Sequence, residues 1–389
     1  MGSLEKHGIW ITDSLNDSDI VIINTCGFIK PALKETEHEI KRILRAENNK
    51  RLYVYGCAVN RAGESLIKKF PKVTGWFSIK EKEELVKAII GRNVKFKSRL
   101  LTTSGYAYLK IADGCSNHCS YCIIPQIKGE FKSKHYEELM NEAEAMAALG
   151  IKELILIAQD TARYGLDIYG KPMLVQLLKD LSKIKRIEWL RILYAHPRSI
   201  TSDLISEIKN NPKVCKYLDM PIQHINDRIL ELMNRGITKK EIIDLIKRLK
   251  EITLRTTIMV GFPTETEGEF NELYDFLKKG YFDWLGVFRY IQEEKTEAAF
   301  FKPLPQKTIN LRFRKILHLQ QKLIKKKNLQ RLNKYYKIFV HHKGRKVIGH
   351  TEFCTPEIDS QIIINSQNVL PGQFYFSKIN KIKGPDLYA

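Results

Sequence analysis

The chain has 389 residues, with 65 Lys+Arg against 44 Asp+Glu, a formal net charge of +21, 43% hydrophobic residues and seven cysteines. That length suits two or three domains, and the apolar content is too high for a disordered chain. No apolar run approaches the ~18 residues of a membrane helix, the start lacks the apolar stretch of a signal peptide, and an odd cysteine count argues against a secreted disulfide framework; the expectation is a cytoplasmic protein with no membrane partner, whose thiols are reduced or bind metal.

Residues 20–24, Ile-Val-Ile-Ile-Asn, read as a buried parallel strand running into Thr25-Cys26-Gly27. An amphipathic helix is expected over 33–46, a second strand over 52–57 ending in Cys57, and another helix over 81–90. This alternation implies an open parallel sheet, in which ligands sit at the carboxyl ends of strands, where Cys26 and Cys57 stand. Residues 96–105 read as a linker. Strands are then expected at 106–111, 153–158, 189–194, 217–220, 256–260 and 284–288, with helical patterns interleaved. Six such units predict a partial or full parallel barrel with its site at the strand C-termini. Residues 306–334 read as one long helix, and four short strands after it as a small all-β, barrel-like module. The fold class is α/β, divided into 1–95, the linker 96–105, 106–334 and 335–389.

The charge is local. Residues 306–346 hold fourteen Lys+Arg and no acid, whereas 347–389 carry −1. Such a stretch suits a surface that faces a polyanion such as nucleic acid.

Cys115-Ser-Asn-His-Cys119-Ser-Tyr-Cys122 places three cysteines within eight residues, directly after a predicted strand and Gly114. Thiolates at C-x3-C-x2-C spacing suit one face of a [4Fe-4S] cluster and leave the fourth iron open. The competing reading is zinc, which wants four closed ligands and would have only the adjacent His118 as its fourth. Cys215 and Cys354 stand alone and read as ordinary thiols.

This motif at the mouth of a βα barrel resembles the radical S-adenosylmethionine (SAM) superfamily. Lys110-Ile-Ala-Asp-Gly-Cys115, Cys122-Ile-Ile-Pro125, Lys128-Gly129 and Ser133-Lys134 resemble its methylthiotransferases, as do Asn24-Thr25-Cys26-Gly27-Phe28 and Gly56-Cys57. Gln159-Asp160-Thr161-Ala-Arg-Tyr164-Gly165 and Thr355-Pro356-Glu357-Ile358-Asp359 are similar to the RimO-like branch, which modifies an aspartate of a small-subunit ribosomal protein. The sister branch modifies adenosine 37 of tRNA.

The resemblance implies two [4Fe-4S] clusters and SAM. Cys115, Cys119 and Cys122 would hold the cluster that binds and reductively cleaves SAM. Cys26 and Cys57 would hold an auxiliary cluster that delivers the methylthio group to the β-carbon of the aspartate. Tyr121, Gln159, Gln223, Gly261 and Pro263 are expected near SAM, the last two by letting backbone approach it. Asp160, Glu293 and Glu294 are expected near substrate, although Tyr121 could be barrel packing and the two glutamates simply solvated. His224 reads equally as a ligand contact or a satisfied structural histidine. An electron donor such as flavodoxin is implied. No nucleophile triad is visible.

Three departures matter. The family's third auxiliary cysteine, in a G-C-x-K-N segment, has no counterpart before Cys26, so the extreme N-terminus is expected to be missing, and an inactive ribosome-binding remnant is one alternative. Lys128 and Lys134 stand where arginine is usual and lack its bidentate fork. Lys295 in Glu293-Glu294-Lys295-Thr296 replaces a glycine.

Overall fold

The computed structural model describes residues 1–46, 50–93, 101–366 and 368–389. Part of the expected linker, 96–100, lies outside the described residues.

The first unit is a three-stranded parallel sheet, Ile20–Thr25, Arg51–Gly56 and Gly75–Phe77 in that order. Helices Lys30–Ala46 and Cys57–Lys69 cover it through Ile40, Ile43, Ala58 and Leu66. The register sets Thr25 opposite Gly56, so the two cysteine-bearing strand ends lie side by side. Cys57 does not end a strand, as its sequence context suggested. It opens a helix, because Gly56 adopts φ 120°, and a Cβ there would meet the Thr25 carbonyl oxygen at 2.6 Å.

The second unit is six parallel strands, Tyr106–Lys110, Glu153–Ile157, Trp189–Ile192, Val214–Asp219, Thr253–Val260 and Trp284–Arg289, each beside its neighbour in the chain. Consecutive order with a helix after each strand makes a partial barrel. Leu154, Leu156, Leu190, Ile192, Leu218 and Ile258 pack outward in one core with the surrounding helices. Alternate residues turn inward, among them Tyr106, Glu153, Arg191, Tyr217 and Trp284.

Helix Gln306–Arg331 packs along the barrel and stops before Asn333, whose φ is +63°. Its basic residues are not all free for a partner. Arg312 binds Glu265 at 2.6 Å and Glu267 at 3.2 Å. Lys315 also reaches Glu267, Lys327 and Arg331 reach Asp283, and Lys337 beyond the helix reaches Glu188. Arg312 and Arg331 are buried. Part of the charge excess therefore anchors the helix, since its acidic partners lie elsewhere in the chain.

The terminal module is a curled six-stranded sheet, two strands more than expected: Lys381–Lys383 and Asp386–Tyr388 are three residues each, too short for pattern reading. The module closes the floor of the barrel. Its segment 351–360, which contains Thr355-Pro356-Glu357-Ile358-Asp359, enters between the strand N-termini. Tyr106 Oη donates to Glu357 at 2.7 Å, Tyr217 Oη to Asp359 at 2.7 Å, and Trp284 Nε1 to the Phe353 carbonyl at 2.5 Å. Arg191, with no exposed surface, donates to Glu153 at 2.8 Å and to the carbonyls of Glu352 and Thr351. His350 reaches the other Glu153 oxygen.

Burial alone would raise the Glu153 carboxyl, but His350 and Arg191 outweigh it and hold it at about 2. A depressed carboxylate pKa contributes stability that is complete above the unfolded value of 4.5 and is lost as pH falls toward 2. Trp189 and Trp284 lie in this floor. Their fluorescence is expected to report release of the module between those pH values; a floor unchanged at pH 2 would contradict the assignment.

Candidate active site at the barrel mouth

The loop after the first barrel strand is held from both ends. Ala112–Asp113 pairs antiparallel with Lys132–Ser133, Cys115 N–H donates to the Gly129 carbonyl at 3.1 Å, and Phe131 N–H to Ser116 Oγ at 3.0 Å. Gly114 has φ +73°, and a Cβ there would stand 2.0 Å from the Glu130 carbonyl oxygen, so no side chain fits. Further round, Ser120 N–H donates to the Met233 carbonyl and Asn234 Nδ2 to the His118 carbonyl. The three cysteines are partly buried on this braced loop.

Burial pushes the Cys122 thiol up to about 12 and raises Cys115 as well. Thiols so shifted are poor nucleophiles and become thiolates on binding metal. Arg235, 5% exposed, donates Nη1 to Cys119 Sγ at 3.3 Å and Nη2 to the Pro221 carbonyl at 2.6 Å. Among the described residues no three His, Cys, Asp or Glu side chains are gathered tightly enough for a single ion.

Among the buried polar atoms that lack a protein partner are Gln159 Oε1, His196 Nε2, Asp219 Oδ1, Arg235 Nε and Tyr290 Oη, near the strand C-termini. His196 Nδ1 accepts the Arg198 N–H at 3.2 Å, which leaves Nε2 to carry the proton. Burial, then Arg235, Arg198 and Arg163, push this imidazole down to about 2, so it is a neutral donor. Unpaired buried donors and acceptors at one mouth, beside three loop cysteines, fit a polar cofactor that completes their hydrogen bonds.

The expected site residues divide. Gln159 is at the mouth. Tyr121 packs with the cluster around Phe262 and Tyr290, its hydroxyl 3.4 Å from Arg235 Nη1. Gln223, at φ +67°, bridges the Thr257 carbonyl and the Met259 N–H through its backbone. Gly261 is spared a side chain by Ile309, which a Cβ would meet at 2.6 Å; Pro263 beside it is buried. Its φ of +76° and the crowding by the long helix both favour glycine here. His224 is a satisfied core histidine, with Glu265 at 3.2 Å and the Asn226 N–H at 3.0 Å.

The three expected substrate contacts are each engaged with protein partners. Asp160 is fully buried and accepts from Asn117 Nδ2, Ser199 Oγ and the His196 N–H. It braces the cysteine loop through Asn117, and its oxygens are taken. Glu293 is 2% exposed and turned toward the N-terminal unit, and Glu294 is exposed in a 2.9 Å pair with Lys30. His196, Arg235 and Asn117 had no signal in sequence, because their partners are set by the fold.

Across the mouth, Cys26 is exposed and Cys57 half-buried. The Gly27 backbone lies directly on Cys57, where a Cβ would meet its carbonyl oxygen at 2.5 Å. Lys128, on the short helix that follows Cys122, bonds Asp113 at 2.7 Å and opposes the burial that raises Cys57. Lys134 bonds Glu142 at 2.6 Å. Lysine at both positions thus serves a single-point pair. Lys295 has φ +68°. An L-residue pays roughly 1–2 kcal/mol there, which is the physical reason for glycine. Lys295→Gly is expected to raise the thermal midpoint by an amount equivalent to about 1 kcal/mol; a lowered midpoint would contradict this.

A parallel partial barrel with three loop cysteines at its mouth defines a radical SAM protein. The family model for the radical SAM superfamily matches residues 109–277, and that for uncharacterized protein family UPF0004 matches residues 1–78. The chain is 41% identical to the ribosomal protein uS12 methylthiotransferase RimO of Caldicellulosiruptor saccharolyticus, over 97% of this chain and 92% of that protein. It is also 41% identical to the same-named protein of Alkaliphilus oremlandii, over 100% and 94%. In fold it is similar to the radical SAM methyltransferase TsrM of Kitasatospora setae, with a TM-score of 0.55 at 14% identity over 73% of this chain and 67% of that one. The chain belongs to the RimO family of methylthiotransferases. It is a radical SAM transferase that works with SAM and [4Fe-4S] clusters. No helix among the described residues is long and apolar enough to cross a membrane.

Proposed function

We propose that this chain adds a methylthio group to the β-carbon of an aspartate in ribosomal protein uS12, the protein named for its relatives. The observation that supports this most is their identity along nearly the whole chain, joined to two cysteine sites facing one barrel mouth. In this reading Cys115, Cys119 and Cys122 hold the SAM cluster, and Cys26 and Cys57 are ligands of the auxiliary one. When bound, these groups supply one-electron cleavage of SAM, abstraction of an unactivated hydrogen, and the sulfur to be transferred. The protein's own part is placement. Arg235 donates to the Cys119 sulfur and orients that side of the loop. Gln159 Oε1 and His196 Nε2–H offer an acceptor and a donor to polar groups of SAM, with Tyr121 beside Arg235 and Gln223 as further candidates. The closed floor leaves the mouth as the entry for substrate and keeps water out from below.

The remaining partners follow as proposals. The exposed Lys307, Arg314, Lys322, Lys325 and Lys326 would touch ribosomal RNA, a donor such as flavodoxin would supply the electron, and the protein would work in the cytoplasm. The test is anaerobic incubation of the iron-loaded protein with SAM, a reductant and isolated uS12, read by tandem mass spectrometry. One methylthio group in place of one hydrogen on an aspartate is the expected result. SAM cleavage without that product, or 2-methylthioadenosine formed in added tRNA, would overturn the reading.

A further inference from the structure

We infer that Glu293 is a positioning residue that locks both N-terminal cysteine loops in register over the barrel mouth. The carboxylate follows the last barrel strand and is 2% exposed. One oxygen accepts the Lys30 N–H at 2.8 Å, at the start of the helix Lys30–Ala46. The other is paired with Arg61 Nη2. Arg61 stands one turn into the helix that Cys57 opens, and its Nη1 donates to the Gly27 carbonyl, directly after Cys26, at 2.8 Å. One acid from the barrel thus fixes the segment behind Cys26, the helix behind Cys57 and a helix N-terminus.

The clamp has a preferred direction. Arg61 and Glu293 side chains are 10% and 3% exposed, so neither charge can be replaced by water at low cost. The neighbouring Lys30–Glu294 pair is 43% and 80% exposed and adds little. Among the described residues, the Asn60 Nδ2 bond to the Ile127 carbonyl at 3.2 Å also joins the units, but it is neutral. It can tether the units but carries no charge to fix their angle.

The inference rests on reading Cys26 and Cys57 as ligands of the sulfur-delivering cluster. Displacing a donor by about 1 Å can cost on the order of 100-fold in a transfer step. The clamp should therefore govern transfer and leave SAM cleavage alone. The test compares full-length Glu293→Ala, Glu293→Gln and Arg61→Lys with the native chain. Hydrogen exchange on the iron-free proteins should accelerate about ten-fold or more around residues 24–30 and 57–63 in Glu293→Ala, with strands 153–157 and 253–260 unchanged. On the loaded proteins, methylthio product per 5′-deoxyadenosine formed should fall roughly 10- to 100-fold at unchanged SAM cleavage and unchanged iron content. Glu293→Gln, which keeps an acceptor for the Lys30 N–H, should fall between the two. Unchanged exchange and yield would overturn the clamp, as would a parallel loss of SAM cleavage and transfer, which would place Glu293 in the radical site itself. Should the native protein bind only about four irons, the auxiliary-cluster reading fails while the exchange experiment still decides the clamp.

Discussion

Alanine at any one of Cys115, Cys119 or Cys122 is expected to abolish SAM cleavage and to remove about four irons per chain. The three thiols are carried on one loop whose path is set by the Gly129, Met233 and His118 carbonyls and by a glycine that tolerates no side chain. Loss of one sulfur removes one of the three thiols that this loop supplies to the cluster. Cys215 and Cys354 are fully buried and distant in the chain, and alanine there should cost only about 1 kcal/mol of packing and no iron. Alanine at Cys26 or Cys57 should spare SAM cleavage and abolish transfer. Iron content, 5′-deoxyadenosine yield and product yield measured together separate the three classes. Retained SAM cleavage in Cys119→Ala would refute the site.

The second large effect is on stability. Arg191→Ala is expected to weaken the joint between barrel and terminal module by about 3–5 kcal/mol, because the guanidinium is wholly buried and removal strands a buried carboxylate. Glu153 would keep only His350, and the Thr351 and Glu352 carbonyls would lose their donors. Denaturant unfolding followed by the fluorescence of Trp189 and Trp284 should show the module transition at lower denaturant, with faster exchange across 351–360. A loss below about 1 kcal/mol would mean that the floor is held by packing alone.

Much of this was legible in sequence, for definite reasons. Barrel strands such as 153–157 and 284–289 are apolar runs set between helical patterns, and the cysteine loop is a local spacing that reads itself. The helix opened by Cys57 was hidden because Asn60 and Gly63 blur its pattern, and Gly75–Phe77 is too short to show one. What sequence could not supply was direction. Asp160 lies in a segment that marks the family, yet its carboxylate is fully buried and bonded to Asn117, Ser199 and the His196 N–H, bracing the cysteine loop. Glu293 was expected to meet substrate and meets Arg61, 232 residues earlier; Arg235 meets Cys119 across 116 residues. Such pairs exist only once the barrel closes the distance. The charge run over 306–346 was legible, but its pairing was not, since Glu265, Glu267, Asp283 and Glu188 neutralise part of it from outside the window. Thr355–Asp359, chosen in sequence only as a family mark, proves to be the plug of the barrel floor.

The most direct measurement is intact-protein and peptide mass spectrometry of uS12 from a strain lacking its own methylthiotransferase and expressing this chain. The account predicts one methylthio group in place of hydrogen on a single aspartate, absent when Cys115 is replaced by alanine. Unmodified uS12 in cells that contain the folded, iron-loaded protein would contradict it.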